Sequence, residues 1–373
     1  MTRPEIPYVN LRAQWESEKV ELLPIIEEVC ASGAYVGGET VERFEQSINN
    51  YLGSPFCVAV NSCTDALVLG LAAVGVRRGD EVITPPNSFI ASTAAIVHLG
   101  ATPVFVDVLP SQSIDPDLIE GAITKKTKAI MPVHLSGRMC DMDRITEIAN
   151  RHGLAIIEDA AQSIGSTFNG KPSGTFGDVG CFSAHPLKNL NAIGDGGFVC
   201  FKDAQTADLV RKFRSHGMID RNTVEVFGYV SRLDAIQAAV LTYRLGRLED
   251  TIQKRRENAR IYRSLLDPEH VFVADDDPRE RNTYHTFVIQ VDRRDELVTY
   301  LAKNGIGTAI HYPIPIHLQP ASKSLGHGLG SFPVTERQSK RILTLPINQH
   351  LTESDLRVVA STINDFYRQR GKR

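Results

Sequence analysis

The 373-residue sequence has no long apolar run, no block of basic residues and no pattern of paired cysteines. Its longest apolar stretches, such as Ala91–Leu99, fall far short of the ~20 residues that span a bilayer. Because 41 basic side chains are balanced by 44 acidic ones, no excess of positive charge is available to neutralise a phosphate backbone. We therefore expect neither a membrane nor a nucleic acid as a partner.

Cysteine is scarce, and its residues form no C-x-x-C pair and lie within apolar stretches, as reduced cytosolic thiols usually do. The first twenty residues contain acidic and polar side chains, with no basic start leading into an apolar run. No signal peptide is visible, so we expect a cytoplasmic location, and we expect no metal site. The cysteines are Cys30, Cys57, Cys63, Cys140, Cys181 and Cys200.

What remains is the composition of a globular protein, with 42% apolar and 23% charged residues, which excludes a disordered or fibrous chain. The length suits one large domain and a smaller one, each with its own core. We place the large domain, with an N-terminal arm, at residues 1–250 and the small domain at residues 251–373.

Short β-branched runs alternate with helical stretches between about residues 55 and 215. This order predicts an α/β fold with a mostly parallel central sheet and helices on both faces. The predicted strands are Phe56–Val60, Glu81–Thr84, Pro103–Asp107, Lys128–His134, Leu154–Glu158, Gly180–Ser183 and Gly197–Phe201. The predicted helices are Thr64–Val74, Ser88–Leu99, Asp141–His152 and Ala204–Ser215.

After Ser231 the apolar spacing predicts one long helix that extends past Ile252, with Ser231 and Asp234 as a capping box at its start. The basic run Lys254–Arg256 is interpreted as the solvated face of that helix. A smaller α+β unit follows. It consists of a strand, two helices and a Pro-rich loop, predicted at Tyr284–Val291, Asp295–Asn304, Glu353–Arg368 and Tyr312–Pro320 respectively.

Two residues suggest a particular chemistry. Lys188 lies between a buried strand and the Gly-rich turn Gly194–Gly197, which suits an amine at the mouth of a cleft, although a surface lysine is the simpler interpretation by itself. Asp159 follows an apolar strand, at the tip where open α/β sheets bind ligands. Pyridoxal phosphate requires such a carboxylate beside its ring nitrogen and a lysine that forms a Schiff base with it.

Other residues around them are compatible with the same cofactor. Gln162 suits a hydrogen bond to the ring hydroxyl, or a plain helix N-terminus. The strand-to-helix passage Ser62–Asp65 offers free N–H groups to a phosphate, whether or not Ser62 or Thr64 is also the N-cap. Ser183 suits a phosphate contact. Phe89 follows a strand tip and suits stacking on a flat ring, although core packing is the simpler interpretation of a lone phenylalanine.

With these elements in register, the chain resembles the sugar aminotransferase family often called DegT/DnrJ/EryC1/StrS, which has the aspartate aminotransferase fold. The resemblance covers nearly the whole length. It runs from Ile6-Pro-Tyr through Gly33–Gly38 and Phe44-Glu45 to His311–Pro320 and the final helix.

The resemblance implies a fold-type I pyridoxal-phosphate-dependent transferase that forms a homodimer with cofactor sites at the subunit interface. It implies Lys188 as the catalytic residue that holds pyridoxal 5'-phosphate. The other cofactor-binding residues that it implies are Asp159 at the pyridinium, Gln162 at the ring hydroxyl, Phe89 on the ring, Thr64 and Ser183 at the phosphate, and Cys63 beside them. For the substrate it implies His317, Tyr312 and Arg214.

One position departs from the family pattern Gly-Tyr-Asn-Ser-Arg-Leu. This chain has Val230 in place of the asparagine that reaches the cofactor phosphate of the neighbouring subunit. Valine donates no hydrogen bond, so Ser231, Arg232 or a water is expected to replace that contact.

The resemblance further implies transfer of an amino group from an amino acid, with glutamate expected, to a keto sugar that is linked to a nucleotide. The sequence Gly-Asp-Gly-Gly at Gly194–Gly197 favours a 3-keto sugar, and a 4-keto sugar or a cyclitol stays open as an alternative. Sugar dehydratases of the family have His in place of Lys188. A non-enzymatic regulator would be expected to lack Lys188 or Asp159, and a Rossmann oxidoreductase would need a G-x-G-x-x-G that is absent.

Overall fold

A computed structural model describes residues 5–369 of the chain. The outermost residues of the two predicted domains, 1–4 and 370–373, lie outside this range. The helices are α1 (Leu11–Ser32), α2 (Glu39–Leu52), α3 (Cys63–Ala73), α4 (Ile90–His98), α5 (Pro116–Ile119), α6 (Met142–His152), α7 (Ala204–Phe213), α8 (Ala235–Leu245), α9 (Leu248–Leu265), α10 (Arg294–Lys303), α11 (Pro333–Ser339) and α12 (Glu353–Arg368). Four short 3-10 helices lie at Glu120–Ala122, Leu135–Gly137, Ile316–Leu318 and Pro320–Leu325.

Thirteen strands occur in the described residues. They are β1 (Phe56–Val60), β2 (Glu81–Thr84), β3 (Thr102–Phe105), β4 (Thr127–Ile130), β5 (Ala155–Asp159), β6 (Thr167–Phe168), β7 (Lys171–Pro172), β8 (Val179–Ser183), β9 (Gly197–Phe201), β10 (Val271–Phe272), β11 (Glu280–Arg281), β12 (Phe287–Val291) and β13 (Ile342–Leu345).

The central sheet has seven strands in the order β1-β9-β8-β5-β4-β2-β3. Only β9 runs against its neighbours, because it pairs antiparallel with both β1 and β8. Side chains alternate along β1, so that Val58 packs with α3, α4 and α7 on one face while Ala59 packs with α2 and α8 on the other. The predicted α/β fold with a mostly parallel sheet and helices on both faces is confirmed.

Most predicted strands and helices agree with the structure to within two residues at each end. The prediction Lys128–His134 is too long at its C-terminal end, since β4 ends at Ile130. Pro132 has no N–H to donate, and the chain beyond it forms only one further bridge, from Val133 to Asp159.

The long helix predicted after Ser231 is wrong in two respects. It is two helices, α8 and α9, separated at Gly246, and it has no capping box at Ser231. The Ser231 hydroxyl is buried and donates to Asn61 Oδ1 at 3.1 Å, which leaves Asp234 as an N-cap without a side-chain bond.

The predicted solvated face at Lys254–Arg256 is also wrong for its central residue. Arg255 is buried and donates to the backbone carbonyls of Tyr284 and His285. Carbonyl acceptors distant in sequence thus bind one nitrogen of a guanidinium that the local sequence placed in water.

The C-terminal unit is built on a three-stranded antiparallel sheet, β10-β12-β13, covered by α9, α10 and α12. Its core also includes Ile6, which forms a bridge to Ile306, so part of the N-terminal arm packs against this unit. Helix α9 continues across the predicted boundary at residue 250, and the division into two domains stays a proposal.

Three further observations concern residues 5–369. No helix among them combines the length and apolarity that crossing a bilayer requires. The same residues contain no cluster of three or more His, Cys, Asp or Glu side chains arranged to hold a metal ion. All six cysteines are free thiols, and Cys30 is exposed rather than held in an apolar environment.

Candidate active site

The candidate site lies at the C-terminal edge of the central sheet, where open α/β sheets bind ligands. Strand β5 ends in Asp159, which pairs with Cys181 of the neighbouring strand β8. Two residues later β8 ends at Ser183, and the chain then turns through Lys188 before it returns as β9. This topology brings Asp159, Ser183 and Lys188 to one edge of the sheet.

Asp159 is held by two donors in a dry environment. Its Oδ2 accepts a 2.6 Å hydrogen bond from the Ser92 hydroxyl, and its Oδ1 accepts one from the Ala161 N–H at 3.2 Å. Burial raises the pKa of this carboxyl, and the two donors and the Lys188 ammonium partly oppose that effect. A positive group placed beside the carboxylate would restore its charged form.

Lys188 is the amine of the site. Burial lowers its pKa, while the Asp159 carboxylate acts in the opposite direction. No carboxylate of residues 5–369 forms an ion pair with its ammonium group within 4.0 Å. An amine with a lowered pKa is a better nucleophile near neutral pH than an exposed lysine.

Gly197 allows the start of α3 to lie close to the edge of the sheet that carries Lys188. A Cβ added at Gly197 would meet the Ser62 carbonyl carbon at 2.5 Å, so only glycine lets β9 approach the helix start this closely. Ser62 is the N-cap, and its hydroxyl accepts the Asp65 N–H. The first-turn residues Cys63 and Thr64 therefore direct N–H groups and the positive end of the helix dipole towards the site. Burial raises the pKa of the Cys63 thiol, so this cysteine is neutral.

An aromatic pair borders the opposite side. Phe89 is 55% exposed, which contradicts core packing and leaves its ring free to contact a ligand. Its centroid lies 5.7 Å from that of Tyr312, whose hydroxyl is 3.5 Å from Gln162 Nε2. Gln162 Oε1 accepts the Ser136 N–H at 2.7 Å, and this bond orients the amide so that its NH₂ group faces Tyr312. Burial raises the pKa of Tyr312 to about 12, so its hydroxyl stays protonated.

Two residues that the resemblance placed at the substrate have other partners in the structure. The His317 side chain is buried against Phe332, and its Nε2 lies 3.0 Å from Glu336 Oε1. Arg214 donates from one nitrogen to Glu45 Oε1 at 2.5 Å and to the Ala59 carbonyl at 2.7 Å. Both side chains thus have partners within the protein, and their contact with a substrate stays a prediction.

The Val230 segment also differs from the expectation. Val230 is exposed and pairs through its backbone with Ser215. Ser231 is buried and bonded to Asn61, so its hydroxyl does not substitute for the missing amide. Arg232, which is partly exposed, stays the candidate side chain for that contact.

Sequence reasoning missed the groups that hold Asp159 in place. The local sequence indicates for Ser92 only a place in the predicted helix Ser88–Leu99. Glu158 is fully buried, and its Oε1 accepts the Phe176 and Gly177 N–H groups, each at 2.7 Å. Its other oxygen lies 2.9 Å from His134 Nε2. The tandem Glu158-Asp159 at a strand end was the signal, because both carboxylates are buried in a sheet that helices cover on both faces, and buried carboxylates need donors.

The described residues fit pyridoxal 5'-phosphate. Asp159 supplies a buried acid for the ring nitrogen, Lys188 an amine for the aldehyde, the α3 start a phosphate seat, and Phe89 an exposed ring for stacking. Gln162 adds a donor near the ring edge. Each group of the cofactor thus has a chemically matched partner, and the partners come from separate elements of the fold.

Comparisons with known proteins agree with this fit. The sequence profile of the DegT/DnrJ/EryC1/StrS aminotransferase family matches residues 16–364. A Streptomyces venezuelae protein named dTDP-3-amino-3,4,6-trideoxy-alpha-D-glucose transaminase is 40% identical over 95% of this chain and 95% of its own length. A Geobacillus stearothermophilus protein named "Pleiotropic regulatory protein" is 40% identical over 97% of this chain and 99% of its own.

A solved structure supports the same assignment. The crystal structure of S. venezuelae DesV in complex with a ketimine intermediate superposes with a TM-score of 0.95 at 38% identity, covering 98% of this chain and 99% of DesV. The sequence and the fold thus match over nearly the full length. The chain belongs to the DegT/DnrJ/EryC1/StrS aminotransferase family, whose cofactor is pyridoxal 5'-phosphate.

Proposed function

We propose that this enzyme moves an amino group from an amino acid, with L-glutamate as the expected donor, to a nucleotide-linked keto sugar at ring position 3. The observation that carries the proposal is the pair Lys188 and Asp159. They share one buried site, where burial lowers the pKa of the amine and raises that of the acid. Perturbed amines and acids that lie together in a cleft are typical of catalytic groups.

Lys188 has two tasks in such a reaction. Its amine would hold the cofactor, whose aldehyde reacts with amines. When free, the same amine would accept a proton from the substrate carbon and return it, as a general base and acid. The lowered pKa favours the neutral form that both tasks need.

Asp159 would pair with the ring nitrogen of pyridoxal phosphate, and the ring would supply an electron sink. The exposed ring of Phe89 would stack on it. Tyr312 stays protonated and contacts both Phe89 and Gln162, so its hydroxyl would be free to donate to an oxygen of the cofactor or the substrate.

Amination at ring position 3 is supported by the name of the S. venezuelae relative, a 3-amino sugar transaminase, and by the sequence of the turn after Lys188. In the structure Asp195 of this turn is exposed, so its side chain does not explain the preference. Tyr312 is the substrate-binding residue that we retain. For His317 and Arg214 we propose a role in shaping the rim.

Lys188 and Asp159 also distinguish the proposed function from its alternatives. A dehydratase is disfavoured because Lys188 is present at the same edge of the sheet as Asp159, where it is partly buried. A purely regulatory protein, which the name of the G. stearothermophilus relative allows, has no use for a complete catalytic pair. A 4-keto sugar or a cyclitol uses the same catalytic groups and is separated from the 3-keto sugar only by assay.

We also propose a homodimer and a cytoplasmic location. The segment 216–230 exposes apolar side chains, with Phe227 99% exposed, and a second copy would bury them. The cytoplasmic location is supported by the six free cysteines.

Purified protein tests the proposal directly. We expect the absorbance of bound pyridoxal phosphate to change when L-glutamate is added and to return when a nucleotide-linked 3-keto sugar follows. Lys188→Ala serves as the control, because it should bind the cofactor but should not transfer the amino group from L-glutamate to the sugar. A spectrum that does not respond to any amino donor would contradict the proposal.

A further inference from the structure

The acid at the base of the site is supported by a chain of two hydroxyl groups. Ser92 lies in the first turn of α4 and is 1% exposed, and its Oγ donates to Asp159 Oδ2 at 2.6 Å. Ser88 precedes the helix and is 2% exposed, and its Oγ lies 3.0 Å from that of Ser92. Both hydroxyls are therefore shielded from water. The Phe89 carbonyl is a second acceptor for each, at 3.1 Å from Ser88 Oγ and 3.3 Å from Ser92 Oγ.

The direction of the protons follows from the chemistry of each group. An ionised carboxylate only accepts, so Ser92 uses its single proton for Asp159. The Ser92 oxygen then has lone pairs free, and Ser88 is placed to donate to it. Aligned hydroxyls in a dry environment polarise one another, which strengthens the bond that reaches the carboxylate.

The same geometry has a second proton arrangement. If Asp159 were protonated on Oδ2, it would donate to Ser92, and the Ser92 hydroxyl would turn to the Phe89 carbonyl 3.3 Å away. The short 2.6 Å separation from Asp159 matches an O–H···O⁻ bond, which favours the charged arrangement. The hydroxyl chain thus stabilises the form of Asp159 that a pyridinium needs.

We propose that Ser92 is a positioning residue that keeps Asp159 ionised and aimed at the cofactor ring nitrogen, and that Ser88 supports it by donating to the Ser92 oxygen. This inference rests on the proposed function, because it assumes that a pyridine ring binds beside Asp159. Ser88 and Phe89 are consecutive residues, so one short segment supplies both the ring-stacking side chain and the support of the acid.

A purely structural role makes a different prediction. In that case the serines would only satisfy buried backbone and hydroxyl groups at the start of α4, and their loss would affect every ligand equally. The two roles are separated by a cofactor analogue in which a C–H group replaces the ring nitrogen, because such a ring has no atom for Asp159 to partner.

The test is a titration of the apo-protein with pyridoxal phosphate and with its 1-deaza analogue, in wild type and in Ser92→Ala. Loss of a hydrogen bond to a charged group predicts that Ser92→Ala weakens pyridoxal phosphate about 10- to 100-fold. For the 1-deaza analogue the loss should be within about threefold, since no charge is then paired. Ser88→Ala should show a smaller loss with the same selectivity.

Two variants serve as controls. Ser92→Thr keeps the hydroxyl and should restore most of the affinity for pyridoxal phosphate. Thr93→Val removes a neighbouring buried hydroxyl on the same helix, one that has no partner among the described residues, and should leave both affinities near wild type.

Three outcomes contradict this account. An equal loss for both ligands in Ser92→Ala would overturn the positioning role, and so would no loss for either. If wild type itself binds no pyridoxal phosphate, the proposed function fails, and the role of Ser92 fails with it.

Discussion

Replacing Asp159 by asparagine should slow turnover steeply without weakening the fold. Asparagine keeps the shape of the side chain and its bond to Ser92, but it removes the charge opposite the ring nitrogen. Two unit charges about 4 Å apart at an effective dielectric constant near 20 attract by ~4 kcal/mol. Since each ~1.4 kcal/mol corresponds to a tenfold change in rate, we expect turnover to fall about 10³-fold.

The expected effect on stability has the opposite sign. Burial raises the pKa of Asp159 in the folded protein, so the folded state disfavours the charged form. This contribution destabilises the apo-protein as pH rises above the folded pKa, and it disappears below the unfolded pKa of ~3.9. Asp159→Asn apo-protein should therefore melt at the same temperature as wild type or higher at pH 8, with the difference shrinking as pH falls.

The assay combines steady-state transamination with thermal melting of the apo-protein. Asp178→Asn is the matched control, because Asp178 accepts the Ile156 N–H at the opposite end of β5 and should leave turnover within about twofold. If Asp159→Asn turned over within tenfold of wild type, Asp159 would be only a structural carboxylate at a strand end.

Three further substitutions test other parts of the site. Lys188→Ala should abolish turnover while cofactor still binds through its phosphate, and turnover near the wild-type rate would contradict this. In wild type, the rate of cofactor attachment should rise with pH. Its midpoint should lie below the ordinary lysine value of 10.5, because burial lowers the pKa of Lys188. Gly197→Ala should displace the start of α3 by forcing a contact with Ser62, which would weaken cofactor affinity and lower stability by ~1–3 kcal/mol in a denaturant titration. Gly121→Ala, where no atom lies within 4 Å of the added methyl, is its control, and equal stability of the two variants would refute the argument. Val230→Asn should slow cofactor release, because one added hydrogen bond to a charged group would raise the free-energy barrier to release by at most ~1.5–3 kcal/mol. Unchanged release would show that another donor already makes this contact.

Local sequence signals located the sheet and the chemistry that its edge supports. The strands Phe56–Val60, Glu81–Thr84 and Gly197–Phe201 were predicted to the residue, because β-branched runs are bounded there by polar or turn-forming residues. Asp159 was recognised because it follows such a run. These signals depend only on neighbours along the chain.

The predictions that failed depend on partners far away in sequence. Ser231 has the composition of an N-cap, but its hydroxyl bonds Asn61, 170 residues earlier. Arg255 sits in a basic run, but it finds carbonyl acceptors about thirty residues later at Tyr284 and His285. No local pattern shows such contacts.

Ser92 was not recognised for a related reason. A serine inside the apolar stretch of α4 looks like helix packing until the fold brings Asp159, 67 residues later, to its hydroxyl. The groups that support Asp159 become visible only in three dimensions, whereas Asp159 itself lies at a strand end.

The central claim, amination of a nucleotide-linked 3-keto sugar, is tested most directly by one competition. Wild-type enzyme with bound pyridoxal phosphate is incubated with L-glutamate and matched nucleotide-linked 3-keto and 4-keto 6-deoxy sugars, and the position of the new amino group is read by NMR. The account predicts efficient formation of the 3-amino sugar. Efficient turnover of only the 4-keto compound would contradict it.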